Sequence, residues 1–269
     1  MTRNSERRSR SRSSSSPASR DWALPAATLA AALLLWEAVA RSGLYPPHLF
    51  PPPTAAARAL KDMARTGQLG ADLAASGRRW LLGLLIGNAA GVLLGAATGA
   101  ARPLRSSVGT LINALRTIPF LILIPIAMLW LGLGEAEKVA ITAWGAAFPV
   151  WLNTQTGFLG VERQYVWAAQ CLGARGARLY WEVHLRRCIP YIVAGVRVSI
   201  ATATFALAAA ELTGAFEGLG FRIFYSYQMF QVERMMAGIM VVALLGLALD
   251  RAFMAAVARL LPWQPEAHE

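Results

Sequence analysis

Cysteine and histidine are scarce in this chain of 269 residues, and their scarcity excludes two kinds of site. The two cysteines, Cys171 and Cys188, form no spaced set, so no disulfide framework is expected. The three histidines, His48, His184 and His268, are scattered and make no metal-ligand cluster. We therefore expect neither a disulfide-stapled domain nor a bound metal.

Lysine is also rare, which excludes a nucleotide site of the phosphate-loop type. That loop ends in Gly-Lys-Ser or Gly-Lys-Thr, but neither Lys61 nor Lys138 follows a glycine. The chain also lacks a Ser-His-Asp, Cys-His or paired-carboxylate set that would act on a substrate. The sequence thus predicts a protein that is not an enzyme and binds no cofactor; any ATP must be bound by another chain.

Charged residues make up only 15% of the chain, whereas hydrophobic residues make up 56% and the mean hydropathy is +0.43. This composition, with its long apolar runs, predicts an all-α polytopic membrane protein. The net charge of +11 could suggest a nucleic-acid partner. Because the arginines lie between apolar segments rather than in one patch, positively charged cytoplasmic loops explain them better.

Six apolar segments predict six transmembrane helices. They cover residues 22–41, 80–101, 106–131, 139–160, 188–210 and 235–258. Segments expected inside the cell carry more than half of the 26 Lys and Arg residues, which predicts cytoplasmic N- and C-termini. A basic flank before an apolar run also describes a cleavable signal peptide, but later segments are equally apolar, which favours an uncleaved first span.

Residues 1–20 are rich in serine and arginine and are predicted to be a disordered, basic cytoplasmic tail. The tail is expected either to contact anionic membrane lipid or to make no contact. The membrane domain is assigned to residues 21–262 and a short C-terminal tail to 263–269.

Glycine and proline punctuate the apolar segments. A glycine recurs every fourth residue from Gly83 to Gly99, and this stripe predicts close packing against another helix. Pro119 and Pro125 should kink or open the third span. Prolines stop any helix before Thr54, which could cap a short amphipathic helix ending near Arg65.

The central loop, residues 162–187, is polar and rich in arginine, and it lies between two apolar segments. Gly173 and Gly176 interrupt its helical pattern, which predicts a helical hairpin. After the turn, the sequence predicts an amphipathic helix with one apolar face and with solvent-exposed arginines on the other. The apolar residues are Leu179, Tyr180, Val183 and Leu185, and the arginines are Arg175, Arg178 and Arg186. Such a face needs a partner protein or the lipid headgroup layer, and both remain open on the residues alone.

The spacing in this loop resembles the cytoplasmic EAA loop of binding-protein-dependent ABC importer permeases, most closely the branch that imports sulfonates, taurine and nitrate. The residues that carry the resemblance are Ala168, Ala169, Gly173, Val183, Leu185, Pro190 and Gly195 to Arg197. Two positions depart from the motif, because Trp167 replaces its glutamate and Arg186 its first proline. The run LRTIPFLILIP is also similar to the third span of that family.

The resemblance implies a type I importer permease in the bacterial inner membrane. It implies an ABC ATPase subunit that binds ATP and Mg²⁺, an external solute-binding protein, a second permease copy and membrane lipid as partners, with no nucleic acid. It also implies that the central loop holds the helix that couples to the ATPase. The coupling residues expected from the motif are Trp167, Ala168, Ala169, Gly173, Val183 and Leu185.

Four polar residues are candidates for the translocation pathway: Arg116, Asn153, Arg197 and Glu211. The two arginines lie within predicted spans and must face the bundle interior or water. They either attract an anionic solute or serve structure, by bonding helix-end carbonyls or pairing with a carboxylate such as Glu211; we favour the structural role. Glu211 either lines or gates the pathway or caps a wet helix end, and Asn153 is more easily explained by a hydrogen bond across helices.

The resemblance implies an importer permease for a small, anionic, sulfonate-, taurine- or nitrate-like solute. The same kind of permease for a vitamin or pyrimidine precursor remains an alternative. A secondary transporter driven by an ion gradient would require titratable carboxylates inside the membrane, whereas Glu37, Glu211 and Asp250 all lie near span ends. A membrane enzyme is disfavoured by the missing catalytic sets.

Overall fold

The computed structural model describes residues 23–46 and 48–261, and within these ranges every regular element is a helix. The predicted disordered tail at 1–20 and the C-terminal tail at 263–269 lie outside the described residues. The chain divides into two compact units between Ala55 and Ala56. Each unit is described by itself.

Ten helices make up the described ranges. They are α1 (Ala23–Arg41), α2 (Pro53–Arg65), α3 (Gln68–Ala100), α4 (Arg102–Leu115), α5 (Phe120–Leu131), α6 (Glu135–Leu159), α7 (Arg163–Cys171), α8 (Ala177–Glu211), α9 (Leu219–Gln228) and α10 (Val232–Leu260). The chain is therefore an all-α polytopic membrane protein, as its composition predicts.

Each predicted span falls on helical structure. By length and composition alone, α3, α8 and α10 could each cross a membrane, and α4 with α5 could together form a fourth, broken span. The first and fourth predicted spans fall on α1 and α6, which do not meet the same criterion, so the described residues support up to four of the six predicted spans. The second span is longer than predicted, because α3 begins at Gln68 rather than near residue 80.

The glycine stripe of α3 packs directly on α6, which confirms the predicted close approach. A methyl group added at Gly87 would lie 2.4 Å from the carbonyl oxygen of Ala143, and one at Gly91 would lie 2.6 Å from that of Ala147. Without a side chain at these positions, backbone meets backbone, and dispersion contacts take the place that larger side chains hold in water-soluble bundles.

On another face, α6 packs against α8 by the same device. A methyl group at Gly145 would lie 2.7 Å from the Cβ atom of Ala206, and one at Gly157 would lie 2.7 Å from the sulfur of Cys188. Helices α3, α6 and α8 thus form a tight three-helix core, of which α6 is the central member.

The third predicted span is broken between Leu115 and Phe120, where α4 and α5 meet at 96°. Pro119 precedes the first residue of α5 and removes a backbone donor there, which confirms that a proline opens this span. Pro125 lies inside α5 without breaking it.

The central loop is a helical hairpin, as predicted, but its second arm does not end before the fifth span. Helix α8 runs unbroken from Ala177 to Glu211 and includes a π-helical stretch at Tyr180–Leu185. The predicted span began near residue 188, whereas the helix already begins at Ala177, and Pro190 lies inside it without breaking it.

Two features of the first 65 residues position α2. In the first unit, Thr54 lies inside the first turn of α2 rather than before it, so the prediction that Thr54 caps this helix is wrong. The Thr54 hydroxyl instead donates to Glu37 Oε1 at 2.9 Å. In the second unit, Ala59 and Met63 of α2 are buried with Ala237 of α10.

Candidate functional site

The three-helix core has two chemically different ends. At the loop end, α6 runs into the central loop, residues 162–187. At the ion-pair end, the start of α3, the start of α6 and the end of α8 come together with the segment 212–222. The predicted coupling residues lie at the first end and Glu211 lies at the second.

The turn of the central loop is built on two glycines in the left-handed region. Gly173 has φ 86° and Gly176 has φ 54°, conformations that side chains rarely adopt. Nothing lies within 4 Å of a methyl group built at either position. The glycines are therefore required by backbone geometry and not by space, while Ala174 between them is buried.

The first arm and the turn present apolar side chains to the surroundings. Trp167 and Ala168 of α7 are exposed, as is Trp181 of α8. Leu172 at the start of the turn is 86% exposed. Ala169 is half-buried. A leucine and two tryptophans exposed on one polar loop form the kind of surface that a partner protein covers.

The second arm divides as the sequence predicts. Arg175, Arg178 and Arg186 are exposed, whereas Leu179, Tyr180, Val183 and Leu185 are half-buried. Leu185 packs with Ala96, Phe158 and Cys188, so its apolar surface faces the chain's own core. Of the predicted coupling residues, Leu185 therefore anchors the arm, and the first arm supplies the free surface.

An aromatic contact ties the two arms together. The guanidinium carbon of Arg187 lies 3.4 Å from the centroid of the Tyr165 ring, within the range of a cation–π interaction. Beside it is a cleft of about 660 Å³, lined by both arms and by the end of α6, with Glu162 and Glu182 on its walls. Arg187 and Tyr165 thus hold α7 against α8 while leaving the tip of the hairpin free.

At the ion-pair end, Arg79 is the central cation. Its side chain is only 3% exposed, and its guanidinium contacts Glu211 at 2.8 Å and Glu135 at 2.6 Å. It also donates to the carbonyl oxygen of Glu217 at 2.7 Å. Hydrogen bonds from Arg79, with help from Arg78, hold the pKa of the Glu135 carboxyl below its usual value. One arginine thus joins α3, α6 and α8.

Glu211 is 1% exposed, so the interpretation as a wet helix end is wrong. Besides the Arg79 contact, both carboxylate oxygens accept from the Ser76 hydroxyl, at 2.8 and 2.9 Å, and one accepts from the Gly220 amide at 2.9 Å. Gly218 has φ 127°, and a methyl group there would lie 2.5 Å from Glu211 Oε1. The glycines of the Gly-Leu-Gly run let the backbone close around this buried carboxylate.

A second pair completes the cluster and was not found from the sequence. Asp72 is fully buried, contacts Arg222 at 2.8 Å and accepts from the Gly218 amide at 2.9 Å. The signal was present, because Asp72, Ser76 and Arg79 follow each other at helical spacing and continue into the glycine stripe at Gly83. They lie on the face of α3 that packs inward.

The remaining pathway candidates have different environments. Arg197 of α8 pairs with Asp250 of α10 at 2.8 Å, which confirms a carboxylate partner but not the predicted one. Asn153 donates to the Pro149 carbonyl of its own helix at 2.8 Å rather than across helices, because Pro149 lies one turn before it. Arg116 ends α4 at the bend and is exposed.

Within 23–46 and 48–261, no group of three or more His, Cys, Asp or Glu side chains is placed to hold a metal ion. The buried carboxylates of the ion-pair end are instead bound by arginines and backbone amides, which leaves them committed to structure.

Comparison with known proteins identifies the family. Residues 87–261 match the family of the binding-protein-dependent transport system inner membrane component. The taurine transport system permease protein TauC of Escherichia coli (strain K12) is 32% identical over 93% of this chain and 93% of its own length. The putative aliphatic sulfonates transport permease protein SsuC of Bacillus subtilis (strain 168) is 30% identical over 90% of this chain and 86% of its own.

A third relative carries another solute in its name. The formylaminopyrimidine transport permease protein ThiX of Halalkalibacterium halodurans is 29% identical over 86% of this chain and 92% of its own length. The family match covers the glycine stripe from Gly87, the broken span, the central loop and the last two long helices. Together with the all-helical, apolar architecture, these matches show that the chain belongs to the family of inner membrane components of binding-protein-dependent transport systems.

Proposed function

We propose that this chain is the permease subunit of an ABC importer, and that a separate ATPase subunit docks on its central loop. The observation that carries the proposal is the exposed turn at Leu172–Gly176, on a loop that also exposes Trp167 and Trp181 at one end of the three-helix core. An apolar surface of this kind on an arginine-rich loop is satisfied by a protein groove.

In this assignment the loop end is cytoplasmic and the ion-pair end is external, with both chain termini in the cytoplasm. Two permease copies form the pathway, two ATPase subunits bind ATP and Mg²⁺, and an external solute-binding protein delivers the solute. Closure of the ATPase pair displaces the central loop. Because α6 leads into the first arm and α8 contains the second, both core helices receive that displacement.

The solute that we assign is a small sulfonate such as taurine. The support is the names of the relatives TauC and SsuC, each matched over most of the chain. A pyrimidine precursor is the second candidate, supported by the match to ThiX.

A secondary transporter is disfavoured by the state of the carboxylates near the span ends. Glu37 pairs with Arg41, Glu211 with Arg79, and Asp250 with Arg197. A carboxylate that exchanges a proton or binds a sodium ion during transport must be free to change partners, and these three are held by arginines.

The proposal is tested by co-purification with the ABC ATPase. The chain is co-expressed with the ATPase and extracted in mild detergent, and Leu172→Asp is compared with Leu133→Asp, which alters a leucine that is 71% exposed at the opposite end. Losing a well-packed interface anchor should lower ATPase recovery roughly tenfold or more for Leu172→Asp only. Failure of the unaltered chain to retain the ATPase, or equal recovery with both variants, would contradict the assignment.

A further inference from the structure

The two arginines inside the predicted spans differ in one respect that the sequence does not show. Arg197 is neutralised by a two-point contact with Asp250, through Nε at 2.8 Å and Nη2 at 3.0 Å. Across residues 23–46 and 48–261, by contrast, no side chain or carbonyl accepts a hydrogen bond from the Arg116 guanidinium. Its positive charge is therefore uncompensated within the described chain.

The packing of α4 and α5 on α6 fixes the position of Arg116 along the length of α6. Gly109 of α4 lies against the Gln155 side chain, and Ile124 of α5 packs on Ile141. Gln155 and Ile141 are separated by about 21 Å along α6 at the usual helical rise. Arg116 lies midway in sequence between the two contacts, which places it near the middle of the core and far from either end.

The backbone at this position gives an independent reason to expect water. Residues 116–119 form the 96° break and are all exposed. Inside a membrane, non-helical backbone is tolerated only where it is covered by protein or lines a water-filled cavity. An arginine without a counter-charge at the same point must also be covered by protein or face water, because a lipid-facing charge is strongly unfavourable.

The neighbouring polar side chains do not compensate the charge. Thr110 and Thr117 each donate their hydroxyl to a carbonyl of α4, and Asn113 donates its amide to the Gly109 carbonyl. These groups are satisfied within their own helix. The guanidinium is left as the one strong donor at the bend that is available to a ligand.

We propose that Arg116 is the anion-selecting residue of the translocation pathway, and that its guanidinium binds the sulfonate group of the solute at the α4–α5 bend. A planar guanidinium donates two parallel hydrogen bonds to an oxyanion, and in a partly desolvated passage this contact is strong enough to select by charge. The inference rests on the importer function proposed above and adds to it the residue that reads the solute's charge.

Charge-selective thiol labelling tests this without knowledge of the natural solute. Cys171 is exposed and is first replaced in a Cys171→Ser parent, whereas the buried Cys188 is kept. Thr117→Cys then places a thiol next to Arg116. The full transporter in vesicles is treated with a sulfonate-bearing methanethiosulfonate reagent or with its trimethylammonium counterpart.

Each labelling rate is divided by the rate of the same reagent with a small thiol in solution. On this scale we expect the sulfonate reagent to label Thr117→Cys about tenfold faster than the cationic reagent, because an unpaired positive charge lies beside the thiol. Adding Arg116→Gln should abolish that preference, and Arg116→Lys should keep part of it. The matched control is Val198→Cys beside the paired Arg197, where no preference for the anion is expected. Equal rates with both reagents, or no labelling of Thr117→Cys by either, would overturn the proposal.

Transport supplies a second readout. In vesicles that hold the complete importer, Arg116→Gln should lower taurine uptake roughly tenfold or more, in keeping with the loss of a charged hydrogen bond, while ATPase recovery stays normal. The control Arg65→Gln, which alters an exposed arginine of α2, should transport normally. Normal uptake by Arg116→Gln would overturn the proposal. Loss of its assembly with the second copy would also overturn it, because the arginine would then serve structure only. Because ATPase recovery is scored separately, failure of the importer assignment is distinguished from failure of this inference.

Discussion

The guanidinium of Arg79 lies 2.8 Å from the carboxylate of Glu211, although 132 positions separate the two residues in the chain. Around them, three arginines and three carboxylates balance each other; they are Arg78, Arg79, Arg222, Asp72, Glu135 and Glu211. Buried charges persist only when they are paired and hydrogen-bonded. The cluster therefore fixes the relative positions of α3, α6, α8 and α9.

Glu211→Ala should destabilise the protein strongly, because it leaves the Arg79 guanidinium buried without one of its two carboxylates. Breaking a buried pair from one side costs about 3–5 kcal/mol. The measurement is thermal unfolding of the detergent-purified chain. The control is Glu182→Ala, whose carboxylate pairs with Arg178 at the surface, where about 0–1 kcal/mol is expected. Equal losses for the two variants would show that the cluster is not structural.

Acid should weaken the ion-pair end through Glu135. Because Arg79 and Arg78 lower the pKa of this carboxyl in the folded protein, its contribution is present above the pKa of the unfolded chain. It is lost as the pH falls through the lower, folded-state pKa. The difference in melting temperature between the unaltered chain and Glu135→Gln should therefore shrink from pH 6 towards pH 3. A constant difference over that range would contradict this reading of Glu135, which is 49% exposed.

Gly87→Val should disrupt the packing of α3 on α6, since its Cβ would lie 2.4 Å from the Ala143 carbonyl. Overpacking of this kind costs about 1–3 kcal/mol and often more against backbone. Gly77→Val is the matched control, because the same side chain on the same helix meets nothing within 4 Å. The measurement is the melting temperature of both variants. The prediction fails if Gly77→Val lowers the melting temperature more than Gly87→Val does.

Replacements of Gly173 should uncouple ATP hydrolysis from transport in an order set by backbone strain. Asparagine tolerates positive φ better than valine does, so Gly173→Asn should retain more taurine uptake per ATP hydrolysed than Gly173→Val. The control is Gly43→Val, which carries similar strain at φ 78° outside the central loop and should leave coupling intact. Membrane insertion should be normal for all three. Full coupling in Gly173→Val would count against the role of the turn.

Much of the fold follows from local patterns in the sequence. The glycine stripe predicts a helix contact because spacing alone puts Gly83 to Gly99 on one face, and Pro119 predicts a break because it removes a donor. The exposed and half-buried residues of α8 also follow the helical period. These features depend on residues within a few turns of each other.

Other features depend on which distant segments meet, and the sequence does not encode this in any local pattern. Glu211 was considered as an ion-pair partner for an arginine inside a span. In the structure Glu211 pairs with Arg79 instead, and Arg197 pairs with Asp250. The continuity of α8 was missed because the arginine-rich residues up to Arg187 were assigned to the loop, and the span was taken to begin at residue 188, where the apolar run begins. The 96° angle between α4 and α5 results from packing on α6 and α8, which no single break residue determines.

Helix α6 begins at Glu135 in the ion cluster and ends at Leu159, three residues before the central loop. Its 25 residues span about 37 Å, and close contacts at glycines pack it against α3 along one side and against α8 along another. Because α6 is packed against backbone on two sides, it behaves as a rigid rod, and a displacement at Leu159 is transmitted to the ion cluster at Glu135.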